Sequence, residues 1–176
     1  MQESEVLKRF YRVDRVVRTR YLEVLAFLNK DELLRDRGAS YPSLLDIFVH
    51  VLDSYCFWIL HVITNSVDSY ADLRGTVTDV DKLRRLEREV GDKVLAFVEG
   101  LSEESIDRKV KSPWGKEFIR VGEICWHAMD EELQHRGEMN ALLWQINIEP
   151  PLGTYDDWSK AERKDKNHEK VTERVR

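Results

Sequence analysis

The chain has 176 residues and a formal net charge of −5, with 42% apolar and 35% charged residues but only eight glycines and four prolines. That length allows one domain with a real hydrophobic core, and the scarcity of glycine and proline argues against a β-rich or low-complexity chain. The negative balance leaves no electrostatic footprint for a nucleic-acid partner.

The first predicted helix runs from about Glu5 to Leu28, where Val6, Phe10, Val13, Val17, Tyr21, Val24 and Leu28 recur at three- and four-residue steps. Its basic stretch, KRFYRVDRVVRTR, spreads around the helical wheel, which predicts a solvated face rather than an anion site. The opening MQESEVLKRF is charged from the start, unlike a secretory leader, and a cytoplasmic location is the default expectation. Asn29 is the predicted cap of a short turn, DELLRD, which stops at Gly38. The second long helix is expected from Pro42 to about Thr64. Within it lies the longest apolar run, LLDIFVHVLDSYCFWILHVI. Asp46, His50, Asp53 and His61 interrupt that run, which predicts a buried helix and no membrane span.

A polar connection, NSVDSYADLRGTVTD, leads to a third helix, capped by Thr78 and ending before Gly100. SIDRKVKSPWGKEFIRV does not read as helix. Its turn signal Ser112-Pro113-Trp114-Gly115 predicts a small hairpin or two extended segments. The fourth helix is predicted from about Arg120 to Asn147, stopped by Pro150 and Pro151. Beyond Ser159 the text KAERKDKNHEKVTERVR has almost no apolar residues, so a bundle domain over 1–158 and a charged tail over 159–176 are expected. Four long amphipathic helices predict an all-α four-helix bundle with a short hairpin before the last one. Cys56 and Cys125 lack CxxC spacing and are expected as buried free thiols. The five tryptophans are expected mainly in the core, with a pocket or a homodimer surface as the other use.

The chemistry concentrates in HAMDEELQHRGEM, from His127 to Met139. On a helical wheel His135 falls inside the apolar stripe of Ile124, Ala128, Met139, Leu142 and Ile146. Glu131 lies about 40° away on its edge, and His127 about another 40° out toward solvent. A carboxylate beside a core is costly unless it is paired, hydrogen-bonded or bound to a metal. Bundles build metal sites from inward-pointing Glu and His on facing helices. An i,i+4 hydrogen bond to His135, or an arginine partner for Glu131, would satisfy the same requirement without a metal. His127 and His135 stand about 12 Å apart along the axis, so both cannot share one ion with Glu131. The pair is either His127/Glu131 or Glu131/His135, and the second faces the core better. A third ligand would come from another helix, where His50 and His61 are separated by about 16 Å. Periodicity does not choose between them. His168 sits in the charged tail, where exposure is expected.

HVLDSYCFWIL, from His50 to Leu60, and EELQHRGEMNALLWQINIEPP, from Glu131 to Pro151, resemble the DinB/YfiT-like family of four-helix-bundle metalloenzymes. In that family a histidine late in the second helix precedes an acidic and aromatic segment. The last helix carries HxxxH followed by Arg-Gly and Gln, then an apolar run ending in a Pro-containing turn. The resemblance spans most of residues 5–158 and implies a metal held by His50, Glu131 and His135. Glu131 stands where the family has the first histidine of HxxxH. His127 matches a position where the family often has a histidine that is not a ligand. Two histidines and a carboxylate still suit a divalent ion, and zinc, nickel, iron and manganese all remain open. The implied activity is a thiol-dependent S-transferase that joins a small-molecule thiol to an electrophile in detoxification or stress response. Hydrolysis is the rival chemistry. The alternative is a non-catalytic bundle, with a structural metal or none, acting as a binding or dimerising module.

Overall fold

Short polar side chains set the starts of the four α-helices between the first and the last. In the computed structural model, which describes residues 2–151, 153, 157 and 159, α1 covers Glu3–Ala26 and α2 the single turn Lys30–Leu34. Asn29 accepts from Glu32 N–H at 2.9 Å to open α2. Ser43 caps α3 (Leu44–Tyr55), which continues as a π-helical segment, Cys56–Val62. Asp79 caps α4 (Val80–Glu99), and Ser102 caps the short α5 (Glu103–Asp107). Strands β1 (Lys109–Lys111) and β2 (Phe118–Arg120) form an antiparallel hairpin with Val110 opposite Ile119. Helix α6 (Val121–Gln145) follows directly.

Helices α1 and α3 each pack against both α4 and α6, so α1 stands diagonally across the bundle from α3, and α4 from α6. The fold is the all-α four-helix bundle expected from the four amphipathic patterns. Its core forms two apolar clusters. One holds Leu7, Tyr11, Val51, Tyr55, Val94 and Ile124, and the other Val17, Leu25, Phe48, Leu52, Leu83 and Leu143. Along α1, α4 and α6 the residues between these clusters include Asp14, Arg18, Glu87 and Glu132, all buried. A buried charge is tolerated only when paired, and these are: Arg18 Nη1 donates to Glu132 Oε2, and Arg136 Nη2 to Asp14 Oδ1, both at 2.5 Å. Arg18 Nε lies 3.6 Å from Glu87 Oε1.

That layer corrects the expectation of a solvated basic face on the first helix. Arg18 is 3% exposed, and Arg12 and Arg15 reach across to Glu99 and Asp92 of α4. Sequence periodicity scores arginine as polar, whereas α4 and α6 supply carboxylates that make its burial tolerable. The tryptophans are corrected too. Trp114 is 75% and Trp144 55% exposed, Trp58 and Trp126 are half-buried, and Trp158 lies outside the described residues. Cys125 is buried as expected, Cys56 only half-buried, and both are free thiols.

Smaller shifts have local causes. Asp79, not Thr78, caps α4, because its carboxylate accepts from Lys82 N–H at 2.8 Å. Pro42 precedes the Ser43 cap rather than sitting in the first turn. Residues Ser105–Asp107 end a helical turn that a Ser102–Ser105 capping box stabilises. The last helix stops at Gln145, and Asn147 then takes φ 58°, a left-handed conformation that Asn tolerates. The segment Leu44–Val62 is long and apolar enough to cross a membrane by length and composition, and 61% of its most apolar stretch is buried inside the bundle. The expected tail from Lys160 onward lies outside the described residues.

Candidate metal centre

The centre sits where α3 meets α6. Glu131 and His135 are one turn apart on α6, and His50 projects from α3 toward them. His50 Nε2 lies 3.4 Å from Glu131 Oε2, and His135 Nε2 lies 3.7 Å from the same oxygen. One donor atom from each residue falls within 4.8 Å of the other two. Side-chain exposures of 17% for His50, 26% for Glu131 and 14% for His135 leave the cluster partly open to solvent.

The surroundings fix the rings. Tyr41, on the loop of residues 35–43, stacks on His50 with ring centroids 4.0 Å apart and 21° between planes. It meets His135 edge-on at 5.5 Å. Glu138, one turn beyond His135, places Oε2 3.1 Å from His135 Nδ1. Ser40 donates its backbone N–H to Glu138 Oε1 at 2.6 Å and its hydroxyl to Oε2 at 2.5 Å. Burial works to raise the Glu138 carboxyl, but the Ser40 hydrogen bonds and His135 outweigh it and hold it below the ordinary carboxylate range. Burial, then the neighbouring His135, pushes the His50 imidazole below its ordinary value, which favours the neutral, ligating form.

Of the options left open by spacing, the structure brings together His50 with Glu131 and His135, and not the others. His127 is exposed and lies T-shaped to Trp58, ring centroids 4.8 Å apart. His61 directs Nδ1 to the Ser66 carbonyl at 3.0 Å, closing the end of the π segment. His168 lies outside the described residues. Among the described residues, the ion-pair partners of Glu131 are the two histidines, not an arginine.

Do these donors suit a divalent ion? Metal–ligand bonds of about 2.1 Å in a tetrahedron put ligand atoms about 3.4 Å apart. The two edges to Glu131, 3.4 and 3.7 Å, are already close to that, and the third is no longer than 4.8 Å. The protonation pattern fits as well. In the tautomer that carries its proton on Nδ1, toward Glu138, His135 turns the Nε2 lone pair toward a carboxylate oxygen. Two acceptors facing each other repel unless a cation or a proton lies between them. The donor set therefore fits a metal.

The DinB family model matches residues 1–168. The chain belongs to the DinB family. A crystal structure of a DinB-like protein, YjoA, from Bacillus subtilis is similar to this chain with a TM-score of 0.67 and 19% identity, covering 84% of this chain and 97% of that one. At that identity the likeness shows the fold alone. No curated protein matches the chain.

Within this DinB-family bundle, sequence spacing missed Tyr41, Ser40 and Glu138. Glu138 was findable, since it lies three residues after His135 and shares its face. Tyr41 and Ser40 belong to a loop with no periodic pattern and carried no signal. The cluster is also distinct from the groove of about 300 Å³ between α1 and α6, which is walled by Phe10, Val17 and Leu133 and includes Asp14 and Arg136. None of the three donors lines that groove.

Proposed function

We propose that this DinB-family chain is a divalent-metal-dependent enzyme whose ion is held by His50, Glu131 and His135. The carrying observation is that one donor atom from each of His50, Glu131 and His135 lies within 4.8 Å of the other two, with His135 Nδ1 turned to Glu138 Oε2 at 3.1 Å. A carboxylate–histidine pair of this kind is the usual outer support of a metal-bound imidazole. Two imidazoles and a carboxylate suit zinc, nickel, iron or manganese. Three protein donors leave at least one coordination position for water or substrate, which favours a catalytic over a closed structural site.

When bound, such an ion lowers the pKa of water or of a thiol and so supplies a nucleophile near neutral pH. The proposed reaction is transfer of a small-molecule thiol to a small electrophile, serving detoxification or stress response, with hydrolysis as the competing chemistry. The chain's own contributions are orientation and partial exclusion of water. Tyr41 covers His50, Glu138 fixes His135, and burial keeps His50 neutral. His127 is exposed and is not among the grouped donors of the described residues, so no role as base is assigned to it.

The test is elemental analysis of the folded chain after supply of each candidate metal, beside His135→Ala and His127→Ala, with circular dichroism as the folding control. The expected result is about one ion per chain, lost in His135→Ala and kept in His127→Ala. A folded native chain that takes up none of the four metals would refute the metal assignment. Conjugation assays with a low-molecular-weight thiol and an activated aryl halide then separate transferase from hydrolase.

A further inference from the structure

The loop of residues 35–43 gives no donor to the cluster, yet it is fastened to it. At its base, Arg37 Nη2 donates to the Glu32 carbonyl at 2.9 Å and to Glu32 Oε2 at 2.8 Å. Arg37 N–H donates to the Pro42 carbonyl at 2.8 Å, closing the loop on itself. At its tip, among the described residues, the side-chain hydrogen bonds to the helices converge on one carboxylate. Glu138 accepts both the N–H and the hydroxyl of Ser40, and the same Oε2 that takes the hydroxyl faces His135 Nδ1. The next residue is Tyr41, whose ring lies on His50.

We propose that Glu138 is the positioning residue of this centre and the 35–43 loop its latch, so that the orientation of His135 and the closure of Tyr41 over His50 are one coupled event. The inference rests on the metal assignment made above. Its physical basis is the geometry of one carboxylate shared between two elements. Because Glu138 and His135 sit one turn apart on a rigid helix, a ring that turns away from Glu138 also removes a partner from the oxygen that holds Ser40. Conversely, a loop that swings out removes the two donors that hold the Glu138 carboxylate in line with His135. A ligand that binds only the aligned histidines stabilises the closed loop. By reciprocity, loosening the loop weakens that ligand by the same factor.

The experiment uses the full chain, Zn²⁺ as the probe, and two variants, Glu138→Gln and Ser40→Ala. Zinc affinity is measured by chelator competition, and loop order by amide hydrogen exchange over residues 36–42, with and without zinc. Glutamine keeps the shape but places an NH2 against either the Ser40 N–H or the Ser40 hydroxyl and His135 Nδ1 together, so the three hydrogen bonds to Glu138 are not all kept. The expected loss of zinc affinity in Glu138→Gln is about 10- to 100-fold. Zinc is expected to slow exchange of the loop in the native chain, but not in Glu138→Gln at saturating zinc. Ser40→Ala keeps the backbone hydrogen bond, so a smaller affinity loss and a partly freed loop are expected. If Ser40→Ala frees the loop while zinc affinity stays within about twofold of native, well under the loss that outer-support changes bring, the coupling is refuted. If both variants match the native chain in affinity and exchange, Glu138 is not a positioning residue, although the metal assignment stands. If the native chain takes up no zinc or other divalent ion, both fall together.

Discussion

Glu132→Gln should be among the most damaging conservative substitutions in this chain. Arg18 and Glu132 are each only 3% exposed, and removing one charge leaves the other buried without its main partner. Breaking a buried pair in this way typically costs about 3–5 kcal/mol. Arg18 retains Glu87 Oε1 at 3.6 Å, the Tyr11 hydroxyl at 3.2 Å and the face of Tyr55 at 4.9 Å, which argues for the low end, about 3 kcal/mol. For a chain of this size that corresponds to a melting-temperature drop of about 6–12 °C. Urea unfolding followed by circular dichroism measures it. The double variant Arg18→Met/Glu132→Leu removes both charges and refills the space, so it should recover to within about 1 kcal/mol of native. A Glu132→Gln loss below about 1 kcal/mol would refute the reasoning. So would a double variant no better than the sum of the two single losses.

Two further outcomes follow from the same buried layer and from the thiols. Burial first, then the neighbouring Glu132, raise the Asp14 carboxyl from 3.8 to about 7 against the opposing pull of Arg136. A raised carboxyl contributes stability that is full below its unfolded value and is lost as pH climbs through its folded value. The Asp14 contribution to native stability should therefore fall between about pH 4 and about pH 7, and Asp14→Asn should flatten that slope in urea midpoints; an unchanged slope refutes the assignment. Burial pushes the Cys125 thiol up to about 12 and raises Cys56 as well, but only Cys56 is partly open to solvent. An aromatic disulfide reagent should label Cys56 slowly in the folded chain and Cys125 only after unfolding, and equal native rates would contradict this.

Periodicity carried the architecture because burying four amphipathic stripes has few solutions. Of the stripe read on the last helix, Ile124, Ala128, Met139 and Leu142 are buried, with Cys125 and Leu143 beside them, while Ile146, just past the helix end, is half-buried. The Ser112–Gly115 turn signal found its hairpin, since a proline and a glycine there stop a helix locally. Glu131 and His135 were legible for the same local reason: a four-residue step is fixed by helix geometry alone. His50 over His61 was not. That choice depends on how far along α3 the facing helix sits, and on the π segment that turns His61 away to Ser66. The Tyr41 loop was out of reach altogether, because its place is set by Glu138, 97 positions beyond Tyr41 in the numbering.

The stretch EELQHR encodes two ladders at once, and only one was visible in it. Glu131 pairs forward with His135, and Glu132 pairs forward with Arg136, each at a four-residue step. A single residue turns the helix by about 100°, so the first ladder faces α3 while the second faces α1. Read on one helix, Glu132 and Arg136 resemble an ordinary solvent-facing pair. Their burial depends on a matching ladder elsewhere: Asp14 and Arg18 on α1, also four apart and in the same acid-then-base order. Asp14 meets Arg136 and Arg18 meets Glu132, a crossing of numbers that requires α1 and α6 to run antiparallel. Two complementary acid–base ladders on separate amphipathic helices are thus a statement about register and direction. Neither helix contains that statement alone. It fixes how α6 is rotated in the bundle, and with Glu132 and Arg136 held toward α1, Glu131 and His135 are turned toward His50.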